Sequence, residues 1–110
     1  MNWKPLTEQA QLEQLAASNQ PFLVFKHSTR CSVSSMAKRS VEFDFDLLPE
    51  GLSLYYLDLI QFRALSNFIA EKWQVRHESP QLLLLQGDSC LYDASHQDIE
   101  LKDAVSAISE

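Results

Sequence analysis

Only two glycines and two cysteines occur among the 110 residues. So little glycine excludes a glycine-rich phosphate loop and the strained G-x-S-x-G elbow of a serine hydrolase. Two thiols are too few for the disulfide framework of a small secreted domain, so Cys31 and Cys90 have to be judged one at a time. Basic side chains are scarce as well: nine Lys and Arg stand against 15 Asp and Glu, a formal net charge of -6. An acidic surface disfavours phosphate backbones and anionic lipid, so neither nucleic acid nor membrane is an expected partner. Long apolar runs are also missing. The opening MNWKPLTEQAQ has no stretch of about 7 to 15 apolar residues such as a secretory leader needs, and nothing later nears the roughly 18 of a membrane span. A cytoplasmic protein is expected.

What the chain does hold is enough apolar material for one core. With 45% apolar and 22% charged residues, and no repeat, linker or low-complexity tract, it reads as a single domain over residues 1–110.

Hydrophobic periodicity supplies the elements. Leu12, Leu15 and Ala16 predict a first helix from Pro5 to Asn19, with Thr7 as its cap. Phe22 to Phe25 is a continuous apolar run, the pattern of a strand covered on both faces. Val33, Met36, Ala37 and Val41 form a helical stripe, capped by Ser28 or Thr29. Leu52 to Leu59 predicts a second buried strand, and Phe62, Leu65, Ile69 and Trp73 the inner face of a third helix. Gln81 to Gln86 and Ser89 to Tyr92 flank Gly87-Asp88, whose leading glycine suits a type II′ hairpin turn. Ser95 would cap a last helix carrying Leu101, Ala104, Val105 and Ile108 inward, with Asp98 near its positive end. Strand, helix, strand in that order pair in parallel, and the hairpin adds an antiparallel edge. The expected fold is α/β, a mixed central sheet of about four strands with helices on both faces.

Chemistry in such sheets gathers beyond the carboxyl ends of the parallel strands, where helix N-termini point free N–H groups. Cys31 falls there. Between Lys26 and Arg39 there are four basic residues and no acidic one, an imbalance in an acidic chain. Arg30 adjoins the thiol, and it and the helix dipole favour the thiolate, the reactive form. A thiolate stabilised in this way is also a better leaving group, which suits disulfide exchange rather than hydrolysis. The bland alternative is a small half-buried residue at a loop–helix junction.

Other residues carry weaker signals. Cys90, in the hairpin's second strand, reads as a packed or edge residue. His27, Cys31 and His77 are the donors a zinc site would draw on, but they lack the paired ligand spacing of structural zinc, and no metal is expected. Trp3, Trp73 and Phe62 read as core.

At TRCSVSSMA the sequence resembles the thioredoxin-like superfamily, with Cys31-Ser32-Val33-Ser34 in the place of the CxxC or CxxS motif. VRHESPQLLLL and CLYDASH narrow the resemblance to the bacilliredoxin-like YtxJ family, described as a bacillithiol-system redox protein, over residues 5 to 108. The resemblance implies a thioredoxin-like fold and Cys31 as nucleophile. It places Ser34 at the would-be resolving position; from the residues themselves, Ser34 is a hydrogen-bond partner of the thiolate or a plain helix-surface serine, and Thr29 and Arg30 are the candidates for stabilising the thiolate. The resemblance matches Ser79-Pro80 to the cis-proline loop that receives substrate. A hydroxyl at position 34 cannot resolve a mixed disulfide, so the implied cycle is monothiol: no bound cofactor, a low-molecular-weight thiol, bacillithiol, as co-substrate, and S-thiolated proteins as substrates of a monomer. Some monothiol members of the superfamily bridge an iron–sulfur cluster, but the spacing here does not select one. The competing reading is a non-catalytic protein-binding module of the same fold with an idle thiol.

Overall fold

The computed structural model describes residues 3–109. Its elements are β1 (Lys4–Pro5), α1 (Gln9–Ser18), β2 (Phe22–His27), α2 (Ser32–Phe43), β3 (Ser53–Asp58), α3 (Arg63–Trp73), β4 (Gln81–Gln86), β5 (Ser89–Ser95) and α4 (Leu101–Ser106). They build one five-stranded sheet in the order β1-β3-β2-β4-β5. β1, β3 and β2 run parallel, while β4 pairs antiparallel with β2 and β5 antiparallel with β4. The α/β architecture matches expectation, but the strand count does not.

The extra strand is Lys4–Pro5, whose Pro5 the sequence placed at the head of a helix. Its two residues pair with Tyr55 and Tyr56, and proline, lacking an N–H, is tolerated on such an edge. α1 therefore starts later, and Thr7 is not its cap. Gln11 Oε1 instead accepts the Thr7 and Glu8 N–H groups at 2.8 and 2.9 Å, with Glu8 at the cap position.

Because side chains alternate across a strand, the run Phe22–Phe25 feeds two cores. Phe22 and Val24 join Leu83 and Leu85 of β4 beneath Leu12 of α1 and Leu65, Ile69 and Trp73 of α3. Leu23 and Phe25 join Leu82 and Leu84 beneath Ala37 and Val41 of α2 and Leu101 and Ala104 of α4. Each buried Val, Leu, Ile or Phe among them contributes about 1.5–3 kcal/mol by leaving water. Half-buried Trp3 packs on Phe25 and Tyr56, and its Nε1–H donates to Glu42 at 2.8 Å.

At the hairpin, Gly87 has φ 57° while Asp88 stays outside the left-handed region, the type II′ pattern. β5 continues past Tyr92 to Ser95, so Ser95 does not cap α4: it stands before the short 3₁₀ turn that follows the strand, with no side-chain capping hydrogen bond. His96–Asp98, Asp98 included, forms a 3₁₀ turn, and Glu100 occupies the α4 cap position.

Candidate active site

β2 runs two residues beyond the apolar run, and this carries Lys26 and His27 into the interior, 0% and 5% exposed. Parity then separates them. His27 shares the face of Leu23 and Phe25, under α2, and Lys26 that of Phe22 and Val24, under α3. After His27 the chain turns: the Cys31 N–H closes onto the Ser28 carbonyl at 3.1 Å, and the Cys31 carbonyl accepts the Ser35 N–H at 3.1 Å. Cys31 is therefore itself the cap residue of α2, and neither Ser28 nor Thr29 caps the helix. Its side chain makes no capping hydrogen bond, so none of the first-turn N–H groups is taken by the cap side chain.

Cys31 is half-buried. Thr29 and Arg30 are exposed in the middle of the turn. Ser34 departs furthest from expectation. It is no surface serine: it is 0% exposed, with Oγ 2.6 Å from His27 Nδ1 and accepting the Ser28 N–H at 3.0 Å. Its hydroxyl is thus occupied by the strand end and the turn. The His27 imidazole lies against Phe25 and Tyr56. Burial, and then the charge of Lys38, hold its pKa below the usual histidine value, against opposing pulls from Asp58, the Ser34 backbone and Glu42.

The Ser79-Pro80 bond is cis, with Ser79 half-buried and Pro80 buried. The Pro80 carbonyl accepts the His96 N–H at 3.0 Å, which ties this loop to the turn after β5. Between that turn and α2 lies a mainly apolar groove of about 190 Å³, lined by Val33, Met36, Ala37, Ser40, His96 and Ile99. On the other sheet face, Lys26 Nζ lies 3.4 Å from His77 Nδ1, which is 3.0 Å from Ser66 Oγ. Burial lowers the Lys26 pKa to about 8 and holds His77 below its usual value.

The two histidines and Cys31 do not converge as a zinc site would require. His27 is engaged under α2 and His77 under α3, and among the described residues no group of three or more His, Cys, Asp or Glu is arranged to hold a metal ion.

Cys90 is half-buried against the α1/α3 core, donates to the Tyr92 carbonyl at 3.4 Å, and has its thiol pKa pushed up by burial. Register places it far from Cys31. Cys90 pairs with Leu85, and Leu85 with Phe22 at the start of β2, whereas Cys31 follows the end of that strand. The length of β2 separates the two positions by about 16 Å, at roughly 3.3 Å per residue, well beyond the roughly 7 Å Cα limit for a disulfide.

Sequence reasoning missed the parts played by His27 and Lys26. The available signal was FLVFKH itself: Lys26 and His27 stand between the apolar run and the Ser28 turn with no glycine or proline to end the strand before them.

The family model for monothiol bacilliredoxin BrxC matches residues 4–104. Among solved structures, a thioredoxin-fold protein described as a candidate oxidoreductase is 31% identical, with a TM-score of 0.79 over 96% of this chain and 92% of that one. Thioredoxin from Malassezia sympodialis superposes with a TM-score of 0.78 at 13% identity, over 99% of this chain and 92% of its own. A mutant thioredoxin from Halobacterium salinarum NRC-1 gives 0.68 at 19% identity, over 96% and 89%. The family match runs from β1 into α4, and the chain belongs to the monothiol bacilliredoxin BrxC family, and with it to the thiol oxidoreductases of thioredoxin fold.

Proposed function

We propose that this protein is a cytoplasmic, monomeric, monothiol enzyme that removes a low-molecular-weight thiol, bacillithiol, from S-thiolated proteins. The Cys31 thiolate attacks the small-thiol sulfur of the mixed disulfide. The Cys31–small-thiol bond forms, the original S–S bond breaks, and the protein sulfur leaves as a thiolate that takes a proton from solvent. A second small thiol, as thiolate, then attacks the Cys31-bound small-thiol sulfur. It releases the Cys31 thiolate and a small-molecule disulfide, so the electron pair with which the protein sulfur leaves is supplied by the one incoming small thiolate, the other small-thiol sulfur staying at disulfide level throughout. Thr29 and Arg30 in the turn before Cys31, and the first turn of α2 after it, form the setting of the sulfur. The backbone at Ser79-Pro80 and the groove along Val33 and Met36 receive the substrate chain.

The observation that carries this reading is the separation of the thiols. Cys31 stands at the head of a helix with no second cysteine in reach, because Cys90 lies at the other end of the strands and position 34 holds a hydroxyl. No helix among the described residues is long and apolar enough to cross a membrane. The test is incubation of a bacillithiol-blocked protein with wild type, Cys31→Ser and Cys90→Ser, followed by mass spectrometry. Wild type and Cys90→Ser are expected to take up the adduct equally and Cys31→Ser not at all. Transfer that persists in Cys31→Ser overturns the assignment.

A further inference from the structure

We propose that Ser34 and His27 form a proton-responsive positioning pair that anchors the Cys31 turn, which gives the thiol's reactivity a second proton dependence. The inference rests on Cys31 being the reactive group.

Both ends of the Ser28–Cys31 turn are fastened. The Cys31 N–H binds the Ser28 carbonyl, and the Ser28 N–H binds Ser34 Oγ one helical turn further on. Ser34 thereby holds the residue that in turn holds Cys31. Ser34 Oγ has one hydrogen to give, and the Ser28 N–H already takes one of its lone pairs. If His27 Nδ1 also carried a hydrogen and donated to Oγ, the buried hydroxyl proton would have no acceptor among the partners Ser34 makes. The arrangement that satisfies every group has the Ser34 O–H donating to a bare Nδ1. The imidazole hydrogen then sits on Nε2, which has solvent contact, since no buried side-chain nitrogen or oxygen among the described residues lacks a partner.

A further proton on this tautomer must go to Nδ1, the atom that receives the hydroxyl. Protonation therefore forces Ser34 to turn its hydrogen away and accept instead, and it sets a cation beneath the turn that ends at Cys31. The groups facing His27 are Lys38 and Glu42 of α2, joined at 2.6 Å, and Tyr56 and Asp58 of β3. Their charges are mixed, so a proton on His27 is a net local change.

The reactivity test uses the Cys90→Ser background, so that the signal comes from Cys31, with dithiodipyridine, which reacts with thiols in acid. Rates are compared from pH 8 to 4.5 for proteins with His27 intact and with His27→Gln. Above pH 7 the ratio of the two rates is expected to be constant. Below 6.5 the protein with His27 intact should gain at least about threefold over the variant, the scale of one added charge acting through a partly screened medium. A ratio that is flat or inverted throughout overturns the proposal. Ser34→Ala should slow Cys31 at pH 7.5 by about threefold or more, and Ser34→Thr, which keeps a hydroxyl, should restore it; a Thr variant as slow as Ala counts against the anchor. Long-range nitrogen NMR on unmutated protein reads the tautomer without any risk to folding: bare Nδ1 at pH 7.5 is expected, and a hydrogen on Nδ1 refutes the assignment. Because dithiodipyridine does not require the bacillithiol reaction, a protein that transfers no bacillithiol but keeps this pH profile would sink the proposed function and leave the pair standing.

Discussion

Lys26 offers a direct measure of what the buried polar strand end costs. Its side chain is fully buried, its recorded partner is the neutral ring of His77 rather than a carboxylate, and burial lowers its pKa from 10.5 to about 8. At pH 7 the amine is protonated in both folded and unfolded chains, so the folded chain bears the desolvation of an ammonium. Between pH 8 and 10.5 the unfolded chain holds the proton and the folded chain releases it, so folded stability rises with pH across that window. The interval from 10.5 down to about 8, at about 1.36 kcal/mol per pH unit, sets the penalty near 3 kcal/mol at neutral pH. Lys26→Met keeps the stem's volume and removes the charge, and Ser66 still serves His77 Nδ1. Urea unfolding of both proteins at pH 7, 8, 9 and 10, followed by tryptophan fluorescence, should find the variant more stable by up to about 3 kcal/mol at pH 7, with the gap closing as pH rises. Other groups with shifted pKa values, Tyr56, Tyr92 and Cys90 among them, are common to both proteins and cancel in the difference. A variant less stable than wild type at pH 7, or a gap that stays constant to pH 10, refutes the reasoning.

Two further outcomes follow from local geometry. Gly87→Ala should lower stability by about 1–2 kcal/mol, because φ is 57° and a Cβ would stand 2.6 Å from Asn19 Oδ1; an unchanged urea midpoint would count against it. Native Cys90 should be alkylated at pH 8 several-fold more slowly than the same residue in urea, since its thiol is packed and its pKa raised by burial; equal rates by peptide mass spectrometry would contradict its placement.

The fold was legible where pattern and period agree. β2, β3, α3, the Gly87-Asp88 turn and the position of Cys31 at the head of α2 all follow from apolar spacing and turn chemistry. Part of what escaped was set by contacts distant in sequence. β1 is a strand only because Tyr55 and Tyr56 offer it an edge, and a two-residue segment containing proline has no period of its own. The caps failed for a different, local reason: serine and threonine are good caps in isolation, but Gln11 reaches back to the Thr7 and Glu8 N–H groups, while the Ser28 N–H is drawn to Ser34.

The same limit explains the site. CxxS reads in sequence as a dithiol motif lacking its second sulfur, and that view treats Ser34 as an absence. Seven positions separate His27 from Ser34, and they become neighbours only because β2 extends two residues past its apolar run before turning back along α2. Alternation along a strand then puts Lys26 and His27 on opposite faces. A single strand end thus sends one basic side chain under the Cys31 turn and the other against His77, in the loop that leads to the cis Ser79-Pro80 bond. A one-residue insertion in β2 would exchange those faces, breaking the contacts beneath both loops while leaving every residue of CSVS unchanged. The contacts around the motif are therefore conditional on the register of the strand before it.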